Sequence, residues 1–599
     1  MTGARQRVLL VGGFRSITPE GMDGPFGSQG GFVDTLAPEP YSLANAYLKT
    51  YAESFPELAN NYEIELEVVA EPLQLEDSRE ELWFSDSDRA RIVAARPDIL
   101  GFSLYCWNVA GVRRALSSLR ERLPGTLMVL GGRGTEGDPE GLLREMPEAD
   151  VAIVGEGEIP FRELLRARLS ARAEGALAEV PGIYYRARSG IERGAPPVAI
   201  ERLDEVPSPY QQGVLTPPPN GVMLELSRGC LHGCGYCTWN ADKQLRHFSA
   251  ARIAGDLEWA LRAGHRHATL NDSAINYDTE ALRAFVEVLR EVDPGRTLLF
   301  TYNLRHDCLD DEQLDLLARV PTQMVLLGVE TFEPRAMVEV ERAPVDQEEL
   351  KERLRALGRR TRPPVASIVL GLPGDTELGF RQTLDTLLEW TVAEPGERPV
   401  VGTVLVSLLQ VYRGSLLWRR RAELELQFDP WGIPYLQSSR DWPASALARA
   451  KAYLLRRIAL DPERLKAAEA IVLMEGARDG LDPWLAPARV ARLLRPWSIG
   501  LTIEGWTLEK IGLMRDKGQG VIARFSHRDG GEARVTLTRR EARSRLHARV
   551  TERYELTGQA LPGIEVPPAD LGRLLALVQA ALRRGERLVE RKRSQRPRQ

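Results

Sequence analysis

The chain has 599 residues, 43% of them hydrophobic and 27% charged, the balance of folded globular protein and not of a disordered chain or a fibre. Its 79 basic side chains against 84 acidic ones give a formal net charge of −5, which argues against a nucleic-acid binder working by bulk positive charge. The longest apolar stretches, such as Val400–Leu409, fall short of the ~18 residues of a membrane span, so no membrane association is expected. The opening MTGARQRVLLVGGF runs straight into an apolar strand without a signal-peptide core, so the expected compartment is the cytoplasm.

Residues 1–180 alternate short apolar runs with helical patterns. The predicted strands are Arg7–Val11, Ile64–Val69, Ile99–Leu104, Leu127–Leu130 and Val151–Val154, and the helices include Ser42–Ser54, Val109–Arg122 and Pro160–Ala173. Short all-apolar strands separated by helices predict a parallel sheet covered on both faces, here a flavodoxin-like doubly wound domain. Ligands of that architecture sit beyond the carboxyl ends of the strands. Residues 181–217 are rich in proline and read as a linker with short extended pieces.

A second α/β series fills 218–430. Its strands are Val222–Ser227, Ala268–Asn271, Thr297–Tyr302, Met324–Val329, Val365–Leu370 and Val401–Leu408, with helices such as Ala250–Ala263, Glu280–Glu291, Gln347–Leu357 and Phe380–Val392 between them. Six such units predict a partial (β/α)6 TIM-type barrel. In 431–599 the alternation stops. Ser445–Leu460 and Pro462–Met474 read as helices, Gly518–Leu537 as a β-hairpin, and Ala569–Arg584 as a final helix, giving a C-terminal α+β domain before a solvated basic tail.

Only five cysteines occur, Cys106, Cys230, Cys234, Cys237 and Cys308, too few for a disulfide-stapled protein. Three of them share the segment LELSRGCLHGCGYCTWN, residues 224–240, with spacing C-x-x-x-C-x-x-C directly after a strand. Zinc would want a fourth ligand, for which His232 is the nearest candidate. A 4Fe–4S cluster normally takes four cysteines, and three leave one iron open.

This segment resembles the signature of the radical SAM superfamily, including the aromatic Tyr236 before the last cysteine. The resemblance implies a 4Fe–4S cluster on Cys230, Cys234 and Cys237 whose open iron chelates S-adenosylmethionine. It extends to LNDSAIN at 270–276, with Asp272 at the methionyl amino group, and to LGVET at 327–331, with Glu330 at the methionine or ribose. In IVLGLPGDT at 368–376 it places Gly371 and Gly374 close to adenosine. In VYRGSLL at 411–417, Arg413 stands where that family usually has proline. Tyr302 and Cys308, at and after the third barrel strand, are the candidate catalytic residues.

The N-terminal segments FSLYCWN (102–108), VLGGRGTEGDPE (129–140) and VGEGE (154–158) resemble the cobalamin-binding domain that precedes many radical SAM barrels. The resemblance implies cobalamin, as methylcobalamin or hydroxocobalamin, held by Ser103, Leu104, Tyr105, Trp107, Gly131, Gly132, Gly155 and Glu156. No histidine precedes His232, so this domain supplies no imidazole to cobalt. Tyr105, Trp107 and Trp83 are the candidate caps for its lower face. Trp431, Tyr435 and Trp442 are candidate lining of the barrel mouth.

Together the two resemblances imply a cobalamin-dependent radical SAM methyltransferase acting on an unactivated carbon of a natural-product or peptide substrate. Two readings stand beside it: non-methylating chemistry such as ring contraction or cyclisation, and non-radical cobalamin methylation of an aromatic carbon. The expected partners are the small-molecule or peptide substrate and an electron donor such as flavodoxin or ferredoxin, with no nucleic acid, and a monomer is expected. The motifs specify cofactors, not the acceptor.

Overall fold

The computed structural model describes residues 5–15, 42–70, 86–106, 108–170, 173–216, 221–239, 244–428, 430, 434–460, 464–467, 502–503, 506–513, 520–527, 531–540 and 553–560. Trp83, Trp107, Trp431, the Ala569–Arg584 segment and the basic tail lie outside them.

The first sheet contains β1 (Gln6–Arg15), β2 (Tyr62–Ala70), β3 (Ile99–Ser103), β4 (Leu127–Gly131) and β5 (Val151–Ile153), all parallel and in the order β2-β1-β3-β4-β5. That is the flavodoxin-like order predicted from the alternation. Every residue of β3 and β5 is buried, as expected of strands covered by helices on both faces. The segment read as a linker does more than connect. Its β6 (Ile183–Ala187) and β7 (Gly190–Arg193) extend the same sheet in antiparallel fashion beside β5.

The second sheet begins with β8 (Val222–Leu224), and a short pair, β9 (Ser227–Arg228) and β10 (Arg246–His247), brackets the cysteine loop. It continues through β11 (His267–Leu270), β12 (Leu299–Leu304), β13 (Thr322–Glu330), β14 (Val365–Leu370) and β15 (Thr403–Leu408), parallel and in chain order. The intervening helices start on side chains that accept an orphan amide: Ser249 from Arg252 N, Asp346 from Glu349 N and Thr376 from Gly379 N.

Six strands were expected, and the described residues show seven in this sheet. β16 (Leu465–Ala467) pairs parallel with β15 and lies in the segment read as a Pro462–Met474 helix. The helix Ala444–Leu460 delivers it, and Leu447, Ala450 and Leu454 of that helix join the barrel's core. Trp442 is buried there too, its Nε1 donating to Leu372 O at 2.9 Å, so it packs the core and does not line the mouth. Tyr435 is half-buried and bridges Gln410 at the end of β15.

Beyond the barrel, β17 (Thr502–Ile503), β18 (Trp506–Leu513), β19 (Gly520–His527), β20 (Gly531–Arg540) and β21 (Arg553–Ala560) form an antiparallel sheet. The predicted hairpin is the β19–β20 pair, closing at His527 opposite Gly531. No helix among the described residues is long and apolar enough to cross a membrane.

The two parallel units share one hydrophobic cluster. Leu43, Ala46, Tyr47 and Tyr51, from the helix Leu43–Glu53 of the first unit, pack with Leu226, Phe248 and Ile253 of the second.

Candidate functional site

The cysteine loop sits at the carboxyl end of the barrel and is pinned from several sides. Gly235 N donates to Val340 O at 2.8 Å and Gly235 O accepts from Leu417 N at 2.9 Å, while Ser273 Oγ donates to Gly229 O at 2.7 Å. Cys230 and Cys234 are buried and Cys237 is partly so; none forms a disulfide. Each sulfur meets a different donor. Cys230 Sγ lies 3.2 Å from Tyr277 Oη, Cys234 Sγ accepts from Arg305 Nη1 and Arg342 Nη1 at 3.9 Å each, and Cys237 Sγ accepts from Trp239 N at 3.4 Å. Burial pushes the Cys237 thiol up to about 12.

The donor set suits a cluster better than a single ion. Its three thiols are soft sulfur donors on one pinned loop, one short of the four ligands of a structural zinc, and a 4Fe–4S cluster takes one thiolate per iron. His232 instead stacks near Tyr277, ring centroids 5.2 Å apart. Arg342 Nε, beside this loop, is buried and makes no hydrogen bond.

Glu330 ends β13 at a register irregularity with a left-handed φ of 66°. A non-glycine residue there is strained, and such strain clusters at functional sites. Its carboxylate pairs with Arg342 Nη1 at 3.1 Å, and the same nitrogen donates to Tyr236 Oη at 3.1 Å. Gly328 is glycine for this carboxylate: a Cβ there would stand 2.2 Å from Glu330 Oε1. Arg305 forks onto Asp307, with Nε 2.8 Å from Oδ1, and its backbone is held by Asn276. Burial raises the Asp307 carboxyl, but the bonds to Arg305 outweigh it and bring it to about 2. Arg305, His306, Asp307, Arg342, Leu350 and Arg353 line part of a cavity of about 210 Å³.

Other candidates are engaged by the chain itself. Asp272 is fully buried; its oxygens accept from Leu226 N (3.1 Å) and Ser227 Oγ (2.6 Å), so it ties the cysteine strand to β11. Burial lifts its carboxyl to about 7 against the lowering pull of those bonds. Gly371 and Gly374 adopt left-handed φ values of 104° and 81°, but a Cβ on either would meet Leu436 or Ala336, so protein fills their open sides. Tyr302 is buried in the barrel core with its hydroxyl on Thr322 Oγ1 at 2.8 Å, and it is a packing residue. Cys308 ends the short turn His306–Cys308, half-buried, beside the cavity-lining residues and not among them.

On the first unit the candidates divide. Gly131 and Gly155 have room beside them, Gly155 with φ 81°. Gly132 does not: its Cβ would stand 2.8 Å from Leu104 O, so it serves the packing of the β3 and β4 loops. Ser103 and Leu104 are buried, Leu104 N donating to Gly131 O at 2.7 Å. Tyr105 is half-buried, with its amide on Asn108 Oδ1 at 2.8 Å. Glu156 bonds Arg246 twice, at 2.9 and 2.6 Å, and so joins the two units.

That pair belongs to a continuous seam. Arg228, just before the cysteine loop, bonds Glu158 Oε1 at 2.7 Å and lies 4.8 Å from the Tyr47 ring. Arg133 Nη1 donates to Thr238 O at 2.9 Å, and Cys106 Sγ meets Gln410 Oε1 at 3.6 Å. Gly137 and Gly414 meet backbone to backbone, since a Cβ on Gly137 would be 2.3 Å from Gly414 N. Arg413, the departure beside it, lays its guanidinium 4.6 Å over the Trp418 ring. The loops after β3, β4 and β5 therefore face the rim that carries the cysteines.

Arg305, Arg342, Arg228, Arg246, Tyr277 and Gln410 were not read from the sequence. Apart from Asp307, two residues from Arg305, and Glu225, three from Arg228, the partners named for them lie 12 to 304 residues away, beyond any local pattern.

Residues 73–165 match the B12 binding domain family and residues 224–387 the Radical SAM superfamily. The chain is 27% identical over 373 residues to 2-(S-pantetheinyl)-carbapenam-3-carboxylate methyltransferase of Streptantibioticus cattleyicolor, covering 58% of this chain and 51% of that protein. It is also 27% identical over 367 residues to the cobalamin-dependent radical SAM methyltransferase TokK of Streptomyces tokunonensis, with the same coverage, 58% and 51%. The chain thus spans about half the length of the curated relatives it matches. Its fold is like that of TsrM from Kitasatospora setae, a radical S-adenosylmethionine methyltransferase solved with cobalamin and a [4Fe-4S] cluster, at TM-score 0.56 and 17% identity over 77% of this chain and 91% of that one. A B12-binding domain followed by a radical SAM domain is the pairing of the cobalamin-dependent radical SAM enzymes, and this chain carries it.

Proposed function

We propose that the chain is a cobalamin-dependent radical SAM methyltransferase acting on an unactivated carbon of a natural-product or peptide substrate. The observation that carries this reading is the seam: the glycine-lined rim of the B12-binding unit is joined to the barrel rim at the cysteine loop, through Arg133–Thr238, Arg246–Glu156 and Gly137–Gly414. When bound, a 4Fe–4S cluster supplies reductive cleavage of S-adenosylmethionine and cobalamin supplies a methyl carrier.

The chain's own residues hold and enclose. Cys230, Cys234 and Cys237 ligate the cluster, and Tyr277 and Trp239 N orient two of those sulfurs. Glu330, braced by Arg342 and Tyr236, faces S-adenosylmethionine, while Asp272, Gly371 and Gly374 shape the strand ends around it. Gly131 and Gly155 leave space for a flat macrocycle, with Ser103 and Leu104 beneath them. Tyr105 would contact the bound cobalamin from the loop after β3, and no imidazole precedes residue 232 in the sequence. The reading calls for a low-potential donor such as flavodoxin or ferredoxin and is satisfied by a cytoplasmic monomer. The relatives named above make carbapenam-type small molecules the first acceptors to assay.

The test uses anaerobically reconstituted protein with methyl-deuterated S-adenosylmethionine. Product should gain three deuterons, with 5′-deoxyadenosine and S-adenosylhomocysteine each forming at about one per product. Product without label refutes methyl transfer, and label without deoxyadenosine refutes the use of a substrate radical. Paramagnetic resonance of the cob(II)alamin form should lack splitting from an imidazole nitrogen.

A further inference from the structure

We propose that Arg305 and Arg342 set the reduction potential of the cluster held by Cys230, Cys234 and Cys237, acting through the Cys234 sulfur. The proposal rests on the cluster reading above and deepens it.

The three sulfurs are unequally served. Cys230 meets a neutral phenol and Cys237 a backbone amide, but Cys234 meets two guanidiniums, each 3.9 Å away. The two arginines come from different elements, Arg305 just after β12 and Arg342 beyond the helix Pro334–Glu339. A guanidinium stays charged at every working pH. Both side chains are largely withdrawn from water, at 10% and 5% exposure, so solvent and salt screen them little.

Each is also held in place. Arg305 is forked onto Asp307, and its main chain is clamped by Asn276. Arg342 is bonded to Glu330, Tyr236 Oη and Gly328 O. Reduction adds one electron to a cluster and breaks no bond, so its cost depends on the charge and the N–H donors around the sulfurs. Here the charge comes as two ion pairs. Removing one member of a pair leaves the other's charge unbalanced in the surroundings of Cys234, and the direction of the change follows from which member is removed.

The experiment is a mediated dithionite titration of the full, anaerobically reconstituted chain, with the reduced cluster read by paramagnetic resonance and iron measured in each sample. Arg305→Gln leaves Asp307 uncompensated. At the wild-type midpoint its reduced-to-oxidised ratio should fall about tenfold, a shift of roughly 59 mV for a one-electron couple. Asp307→Asn leaves Arg305 uncompensated and should move the potential the other way. Arg342→Lys keeps the charge without the fork and should shift it less than Arg305→Gln does.

Arginines that merely brace the rim predict no such opposition of sign. Potentials unchanged in Arg305→Gln and Asp307→Asn, or moved in the same direction, overturn the proposal. If Arg305→Gln fails to retain iron, Asp307→Asn decides alone, and no rise there overturns it. Wild-type protein without a cluster defeats instead the reading on which the proposal stands.

Discussion

Two sheets whose parallel strands are clad in helices make up most of the described chain, and they finish their carboxyl ends in opposite ways. In the first, the order β2-β1-β3-β4-β5 reverses between β1 and β3 and leaves a crevice at the reversal. Its rim holds small residues, and Gly131 and Gly155 have open space beside them. In the second, strand order follows chain order, and the loops that leave the strands line one mouth side by side. Its rim is crowded with ion pairs, Arg342–Glu330 and Arg305–Asp307 among them. An open rim suits a broad planar ligand; a crowded one suits a compact, highly charged one whose neighbours must be fixed.

The largest effect should come from the crowded rim. Replacing Cys230, Cys234 and Cys237 together with alanine should drop iron to background, because alanine offers iron no soft sulfur. Cobalamin binding should survive in that variant. Its loss would show that the two rims are one site and dissolve the contrast.

Next is the seam between them. Glu158 and Arg228 are buried ion partners, with side chains 6% and 12% exposed. Arg228→Met should cost about 3–5 kcal/mol in chemical denaturation by leaving Glu158 and Glu225, both bonded to that guanidinium, without a counter-charge, whereas adding Glu158→Leu and Glu225→Leu should recover most of that. Equal losses in both variants would rule out the unpaired charge as the cause.

Asp272 gives a pH signature confined to the second sheet. Its folded carboxyl is raised to about 7, mainly by burial, above an ordinary value of 3.8. The folded state therefore binds the extra proton between those values, and the stability it contributes is full below about pH 4 and lost as pH rises through 7. The upper bound is about 4 kcal/mol. Asp272→Asn should flatten that part of the stability-versus-pH curve, and a wild-type slope in the variant would refute the assignment.

The smallest effects separate glycines that serve packing from glycines that leave space. Gly137→Ala meets backbone and a left-handed φ of 79°, and should cost about 1–3 kcal/mol. Gly131→Ala should stay within about 0.5 kcal/mol of wild type while weakening cobalamin binding, measured by equilibrium dialysis. A Gly131 variant that binds cobalamin normally would remove that residue from the site.

The strands and helices were largely legible because buried parallel strands are apolar on both faces and stand out between helical periods. β16 was not: three residues, Leu465–Ala467, carry no period, and only pairing with β15 makes them a strand. At the site, the cysteine spacing is local and could be read. The motif VGEGE looked like a ligand loop, yet Glu156 spends its charge on Arg246, ninety residues on. Tyr302 looked available at a strand end, but alternation along β12 turns it into the core. Such commitments belong to tertiary neighbours and leave no mark in the adjoining sequence.

The meeting of Gly137 with Gly414 bears on how interchangeable these modules are. A contact built of main chain has no rotamers with which to absorb a misfit. A B12-binding unit transplanted from a relative would dock only if its own loop offers glycine at that spot and the barrel turn offers one in return. Chimeras that carry the two glycines as a set should fold as one body, and those that carry either alone should hold their halves apart.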